Sequence, residues 1–132
     1  MKKLLGIFLA MLLLTACGQE PRTQQEEANM QYTNITAQQA KEIMDTQTGY
    51  VILDVRAQLE YDEGHIPGAI VIPHDQVKEK AEDILLDKDQ LILVYCRSGR
   101  RSKLAAEDLV DLGYTNIKEF GGILDWPYEV ER

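Results

Sequence analysis

Apolar positions along the chain fall into short runs separated by polar turns, and the first run differs from the rest. Leu4 through Leu14 is almost unbroken and follows Lys2-Lys3. It is too short for a comfortable membrane span, which needs roughly 20 apolar residues, and matches the apolar segment of a secretory signal. Residues 18–34 hold almost no apolar side chains and predict a flexible tether, because such composition cannot build a core. A coil of about 17 residues reaches roughly 20–25 Å r.m.s..

From Ile35 onward the period alternates between helix and strand. Thr36 predicts an N-cap for a helix through about Thr48, with Ala37, Ala40, Ile43 and Met44 at helical spacing and Gly49 as the stop. Val51–Val55 reads as a buried strand, Gln58–Glu63 as a helical turn ended by Gly64, and Ala69–Ile72 as a second strand closed by Pro73. Asp75 is expected to cap a helix carrying Val77, Ala81, Ile84 and Leu85. Leu91–Tyr95 is the most apolar strand and the expected sheet centre. Ser102 is expected to begin a helix with Leu104, Ala105, Leu109 and Leu112 on one face, before a last strand at Asn116–Phe120 and a turn containing Trp126. Strands separated by helices imply crossovers, hence an α/β domain with a mainly parallel sheet flanked by helices. Residues 35–132 suffice for one such domain and one core.

Charge narrows the function classes. The 132 residues hold 22 acidic and 14 basic side chains, a net charge of −8. Removing Lys2 and Lys3 with the leader takes the basic count from 14 to 12 and the net charge from −8 to −10. A chain this acidic lacks the basic face that nucleic acid requires. Yet Arg97, Arg100, Arg101 and Lys103 crowd into one short stretch, a local cationic patch that marks an anion site.

That stretch contains the candidate nucleophile. Cys96-Arg97-Ser98-Gly99-Arg100-Arg101-Ser102 joins the most apolar strand to a helix, at the carboxyl edge where open α/β sheets place their ligands. Unpaired N–H groups at the helix N-terminus attract an anion, and Gly99 allows the backbone to curl so that they converge. The same N–H groups and the neighbouring arginines favour a thiolate at Cys96, making it both nucleophile and anion receptor. The alternative is an inert strand-end Cys among solubilising arginines; the packing of Cys, Ser, Gly and three Arg at one junction argues against it. His74 has only Asp75 as a partner at ligand spacing, so no metal site is assigned.

Two resemblances follow from these residues. Leu14-Thr15-Ala16-Cys17 resembles the lipobox of a bacterial lipoprotein precursor. This implies a signal peptide over 1–16, a diacylglyceryl thioether on Cys17, a tether over 17–34 and an extracytoplasmic, membrane-anchored place in a bacterial cell envelope. Cys96 would then be the sole free thiol of the mature chain.

The loop Cys96–Ser102 resembles the active-site loop of single-domain rhodaneses. Asp54-Val55-Arg56 with Glu60–Ala69 is similar to that family's upstream signature, and Gly121-Gly122-Ile123-Leu124-Asp125-Trp126 to its C-terminal pattern. The matches occur in the family's order and span most of residues 36–126. The resemblance implies a three-layer rhodanese-like fold, no cofactor, and sulfur transfer through a Cys96 persulfide. A small anionic donor such as thiosulfate would lose its sulfane sulfur to Cys96, and cyanide or a thiol would accept it. Backbone N–H groups from Arg97 through Arg101, including Ser98 and Gly99, would hold the terminal sulfur, while Arg97, Arg100 and Arg101 would attract the donor.

Asp54 and Arg56 carry two readings, a pair that pins the following turn or a direct substrate contact, and the first is preferred. His65 is read as a structural histidine and Trp126 as a core anchor. Some cysteine phosphatases share this fold but place Arg after five intervening residues; here Ser102 holds that position and Arg101 follows four. The shorter ring suits a single sulfur atom rather than a phosphate. A non-catalytic binding module and a persulfide carrier serving one protein partner are the remaining readings. Disulfide exchange lacks the second Cys of a Cys-x-x-Cys pair.

Overall fold

The computed structural model describes residues 31–132. Cys17, the apolar run and most of the expected tether lie outside the described residues. Among the described residues no helix is long and apolar enough to cross a membrane.

Five strands form one parallel sheet: β1 (Thr33–Asn34), β2 (Val51–Asp54), β3 (Ile70–Val71), β4 (Ile92–Cys96) and β5 (Ile117–Gly122), in the order β1-β5-β4-β2-β3. The helices are α1 (Ala37–Thr46), α2 (Gln58–Glu63), α3 (Val77–Ile84) and α4 (Arg100–Asp111). As the hydropathy pattern predicts, β4 is the middle strand, and all five of its residues are buried.

Strand alternation divides the core into two layers. Leu53, Val55, Ile92, Val94 and Cys96 face Val77 and Ala81 of α3 and Ala105, Ala106 and Leu109 of α4. Ile52, Leu93 and Tyr95 face the other way, toward Ala40 of α1, Ile66, Phe120 and Trp126. Cys96 therefore points under α4, while its neighbour Tyr95 points into the opposite layer. Trp126 is a core residue at 9% exposure.

Local chemistry explains most boundaries. Thr36 caps α1 as expected: its hydroxyl accepts the Gln39 N–H at 3.1 Å, and the Gln39 side chain accepts the Thr36 N–H at 2.9 Å. Asp75 is not a cap. It lies in a 3₁₀ turn, His74–Gln76, that follows Pro73 and is closed by the Gln76 N–H on the Pro73 carbonyl. Leu104 and Ile84 are exposed rather than core-facing, because the buried stripe of α4 runs through Ser102, Ala105, Ala106 and Leu109, and that of α3 through Val77 and Ala81.

The expected tether is also corrected at its end. Thr33 and Asn34 form the edge strand β1, paired with Lys118 and Glu119 of β5, and Tyr32 is buried in the α4-side core. A two-residue strand joins the sheet through its backbone, so its side-chain composition gave no sign of it.

Candidate active site

Cys96 is the last residue of β4 and is 1% exposed. After it, Arg97 and Ser98 turn the chain, and Gly99, at φ +107°, forms the N-cap of α4. This left-handed conformation is open to glycine at little cost. The helix accordingly starts at Arg100, two residues before the expected Ser102, and Ser102 lies fully buried in its first turn.

The loop encloses the sulfur with donors. The Gly99 N–H donates to Cys96 Sγ at 3.0 Å, and Ser102 Oγ lies 3.4 Å from it. Burial by itself pushes the Cys96 thiol up. Hydrogen bonding from the Ser102 hydroxyl and from the N–H groups of Ser102, Gly99 and Ser98 outweighs it, holding the thiol below its ordinary range.

The three loop arginines differ in their surroundings. Arg97 and Arg100 are exposed. Arg101 forms a two-pronged ion pair with Glu60 of α2, at 2.7 and 2.9 Å, so its guanidinium is already matched to a carboxylate. Arg97 and Arg100 form no salt bridge among the described residues. The Arg101 pair holds the Glu60 carboxyl down at about 2, offset in part by burial and aided by the Ala57 N–H.

Asp54 and Arg56 form a buried clamp beside this pair. Asp54 accepts from Arg56 Nε and Nη2, from the Arg56 backbone N–H, and from the Tyr95 hydroxyl at 2.7 Å. Arg56 Nη2 also donates to the Gly64 carbonyl at 2.6 Å, and Tyr95 Oη accepts the Ile66 N–H. The end of β2 is thereby locked to the turn after α2. His65 stacks on Tyr61 with ring centres 3.7 Å apart, and its backbone pairs with Glu131 in both directions. Its contacts are those of a tie between this turn and the C-terminal segment.

Three further residues touch the loop: Glu119 had no part in the sequence-based expectations, and Gly122 and Leu124 stood there only within the C-terminal pattern. Glu119 of β5 is 2% exposed and accepts the Ser102 hydroxyl at 2.6 Å and the Gly121 N–H at 2.8 Å. Glu119 pairs with Val94 and shares its face of the sheet, the side covered by α4; past it β5 carries one extra residue opposite β4, so that Cys96 pairs with Gly122. Gly122 in turn lies against the Arg97–Ser98 backbone, leaving no space for a β-carbon. The third is Leu124, whose N–H donates to the Arg97 carbonyl at 3.2 Å. Outside the loop, an open cleft of about 320 Å³ is lined by Arg56, Glu60, Arg97, Ile123, Leu124 and Val130, among others.

A parallel five-stranded sheet with a cysteine loop at its carboxyl edge matches known proteins closely. The family model of the Rhodanese-like domain matches residues 36–128, and the chain belongs to that family. The thiosulfate sulfurtransferase PspE of Escherichia coli is 41% identical over 73 residues, covering 55% of this chain and 70% of that protein. A putative sulfurtransferase of Bacillus subtilis, YtwF, is 32% identical over 102 residues, covering 77% and 97%. In longer relatives the match is one part only: the adenylyltransferase and sulfurtransferase UBA4 of Meyerozyma guilliermondii is 39% identical, but 21% of its length is covered. Among solved structures, a rhodanese with anions from E. coli superposes with a TM-score of 0.59 at 36% identity, covering 63% of this chain and 98% of that one. A rhodanese-related protein from Thermoplasma volcanium gives 0.65 at 34% identity, covering 76% and 98%.

Proposed function

We propose that this chain is a sulfurtransferase that moves a sulfane sulfur from a small anionic donor of the thiosulfate type to a thiophilic acceptor, through a persulfide on Cys96. The observation that carries this reading is the Cys96 sulfur enclosed by the Gly99, Ser98 and Ser102 donors, with its thiol held below the ordinary range. In the first step the thiolate attacks the donor's outer sulfur. A Cys96 S–S bond forms, the donor's S–S bond breaks, and its electron pair leaves with sulfite. In the second step cyanide or a thiolate attacks the terminal sulfur, and the pair returns to Cys96.

The loop suits these steps. A persulfide's terminal sulfur carries one negative charge, and converging N–H groups stabilise it without reorganising. Exposed Arg97 and Arg100 supply the positive field that draws an anionic donor toward a strongly acidic protein. With Cys96 1% exposed, a donor must present one slim protruding atom, which a sulfane sulfur does and a phosphoryl group does not. The name of the E. coli relative, a thiosulfate sulfurtransferase, supports the same donor class. The test is sulfite and thiocyanate formation from thiosulfate plus cyanide, run beside Cys96→Ala. Turnover that persists in the variant, or no turnover by the folded parent, removes the proposal.

The reading extends to place. A lipid on Cys17 and the polar segment after it would hold the domain just outside a bacterial membrane. Detergent phase partitioning after expression in a lipoprotein-competent host tests this, and a Cys17→Ala chain that still partitions as a lipidated protein overturns it.

A further inference from the structure

Ser102 has one hydroxyl proton and four neighbours placed to receive it. They are the Gly99 carbonyl at 2.9 Å, Glu119 Oε1 at 2.6 Å, and, both at 3.4 Å, the Gly121 carbonyl and Cys96 Sγ. The shortest contact is with Glu119. No lysine or arginine among the described residues forms a salt bridge with this buried carboxylate; its two donors are the Ser102 hydroxyl and the Gly121 N–H. A carboxylate is rarely buried without a cation unless hydrogen bonds or a function hold it there.

We propose that Glu119 takes up the proton Cys96 gives up, through Ser102, so that the thiolate forms without any proton leaving the buried site. The inference rests on Cys96 being the reacting thiol. In one arrangement the Cys96 S–H donates to Ser102 Oγ, and the Ser102 O–H donates to the Glu119 carboxylate. In the other, the S–H bond has broken and its proton has joined Ser102 Oγ, while the original Ser102 proton has passed to Glu119 Oε1. Ser102 then donates to the thiolate, and the Glu119 O–H donates to Ser102. Both arrangements carry one negative charge. Ionising both ends at once puts two charges in one desolvated place, which low dielectric opposes.

Other charges face the unit without replacing either end. Arg101 of α4 feels Cys96, but is paired with Glu60; Asp54 and Arg56 at the end of β2 neutralise each other. Glu107 of α4 and Glu119 both act on Tyr32, beside β1. Arg97 and Arg100 are exposed.

A proton kept between Cys96 and Glu119 shows in how the thiolate appears as pH rises. The test is the rate of Cys96 alkylation by iodoacetamide against pH, resolved on the Cys96 peptide by mass spectrometry in the whole chain. It reads the thiol and needs no sulfur transfer, so its failure is distinct from failure of the sulfurtransferase reading. The unaltered chain gives two rises separated by a plateau. Glu119→Gln keeps the acceptor but cannot take a proton, and gives a single rise. Ser102→Ala severs the path; the plateau rate falls by on the order of tenfold and only the high-pH rise remains. A single rise in the unaltered chain, or two rises surviving in Glu119→Gln, overturns the inference. If Glu119→Gln does not fold, a plateau that survives in Ser102→Ala overturns it equally.

Discussion

The α-carbon of Gly122 is seated directly on the Arg97 peptide. A β-carbon there would lie 2.5 Å from the Ser98 nitrogen and would overlap the Arg97 carbonyl outright. Backbone cannot move aside as a flexible side chain can, so the last strand acts as the floor of the Cys96 loop. Gly122→Ala is expected to destabilise the fold by about 1–3 kcal/mol or more, the usual range for overpacking, and to lower turnover by at least about tenfold through displacement of the Cys96 ring. Urea unfolding with parallel activity measurement checks this, and an active, equally stable Gly122→Ala chain contradicts it.

The buried Asp54–Arg56 clamp gives a second expectation. Asp54→Ala leaves the Arg56 guanidinium, 5% exposed, without its counter-ion and removes the acceptor of the Tyr95 hydroxyl. Breaking one partner of such a pair costs about 3–5 kcal/mol. The urea midpoint should fall accordingly, and a double change of Asp54 and Arg56 to apolar residues should cost less than Asp54→Ala alone.

Acid should loosen the joint between α2 and α4. Glu60 titrates near 2 in the folded chain, below its unfolded value near 4.5, because Arg101 hydrogen-bonds its charged form. Its contribution is thus complete above pH 4.5 and disappears as pH falls from there toward 2. The pair is partly exposed, so solvent limits that contribution to about 1 kcal/mol. Glu60→Gln should remove this part of the acid dependence, seen as a flatter curve of urea midpoint against pH in that window.

Donor recruitment should be electrostatic. Arg97→Glu reverses a charge that lines the outer cleft and leaves the backbone donors in place. The KM for thiosulfate should rise by on the order of tenfold at low salt, and the difference should shrink as salt is added. An unchanged KM would assign recruitment to Arg100 or to the loop backbone alone.

The parts of the site that sequence reading found are contiguous, and those it missed are not. The segment Cys96–Ser102 carries its chemistry in adjacent residues, and the apolarity of Leu91–Tyr95 placed it at the sheet centre, where β4 stands. Capping of α1 by Thr36 was equally local. Glu119 meets Ser102 because β5 pairs beside β4, and Gly122, noted only within the C-terminal pattern, comes opposite Cys96 through one residue in excess after Glu119, a register that no pattern within either strand records. Glu119, in a chain with 22 acidic residues, carried no sign of burial. The division of labour among the arginines was hidden for the same reason, since Glu60 meets Arg101 across 41 residues of chain.

The most direct measurement is the mass of the Cys96 peptide after the whole chain has been treated with thiosulfate and freed of excess donor, then read again after cyanide. Sulfur transfer through Cys96 predicts a gain of one sulfur atom on that residue, lost on cyanide addition with stoichiometric thiocyanate. A folded chain whose Cys96 gains no sulfur, or whose added sulfur cyanide cannot remove, would contradict it.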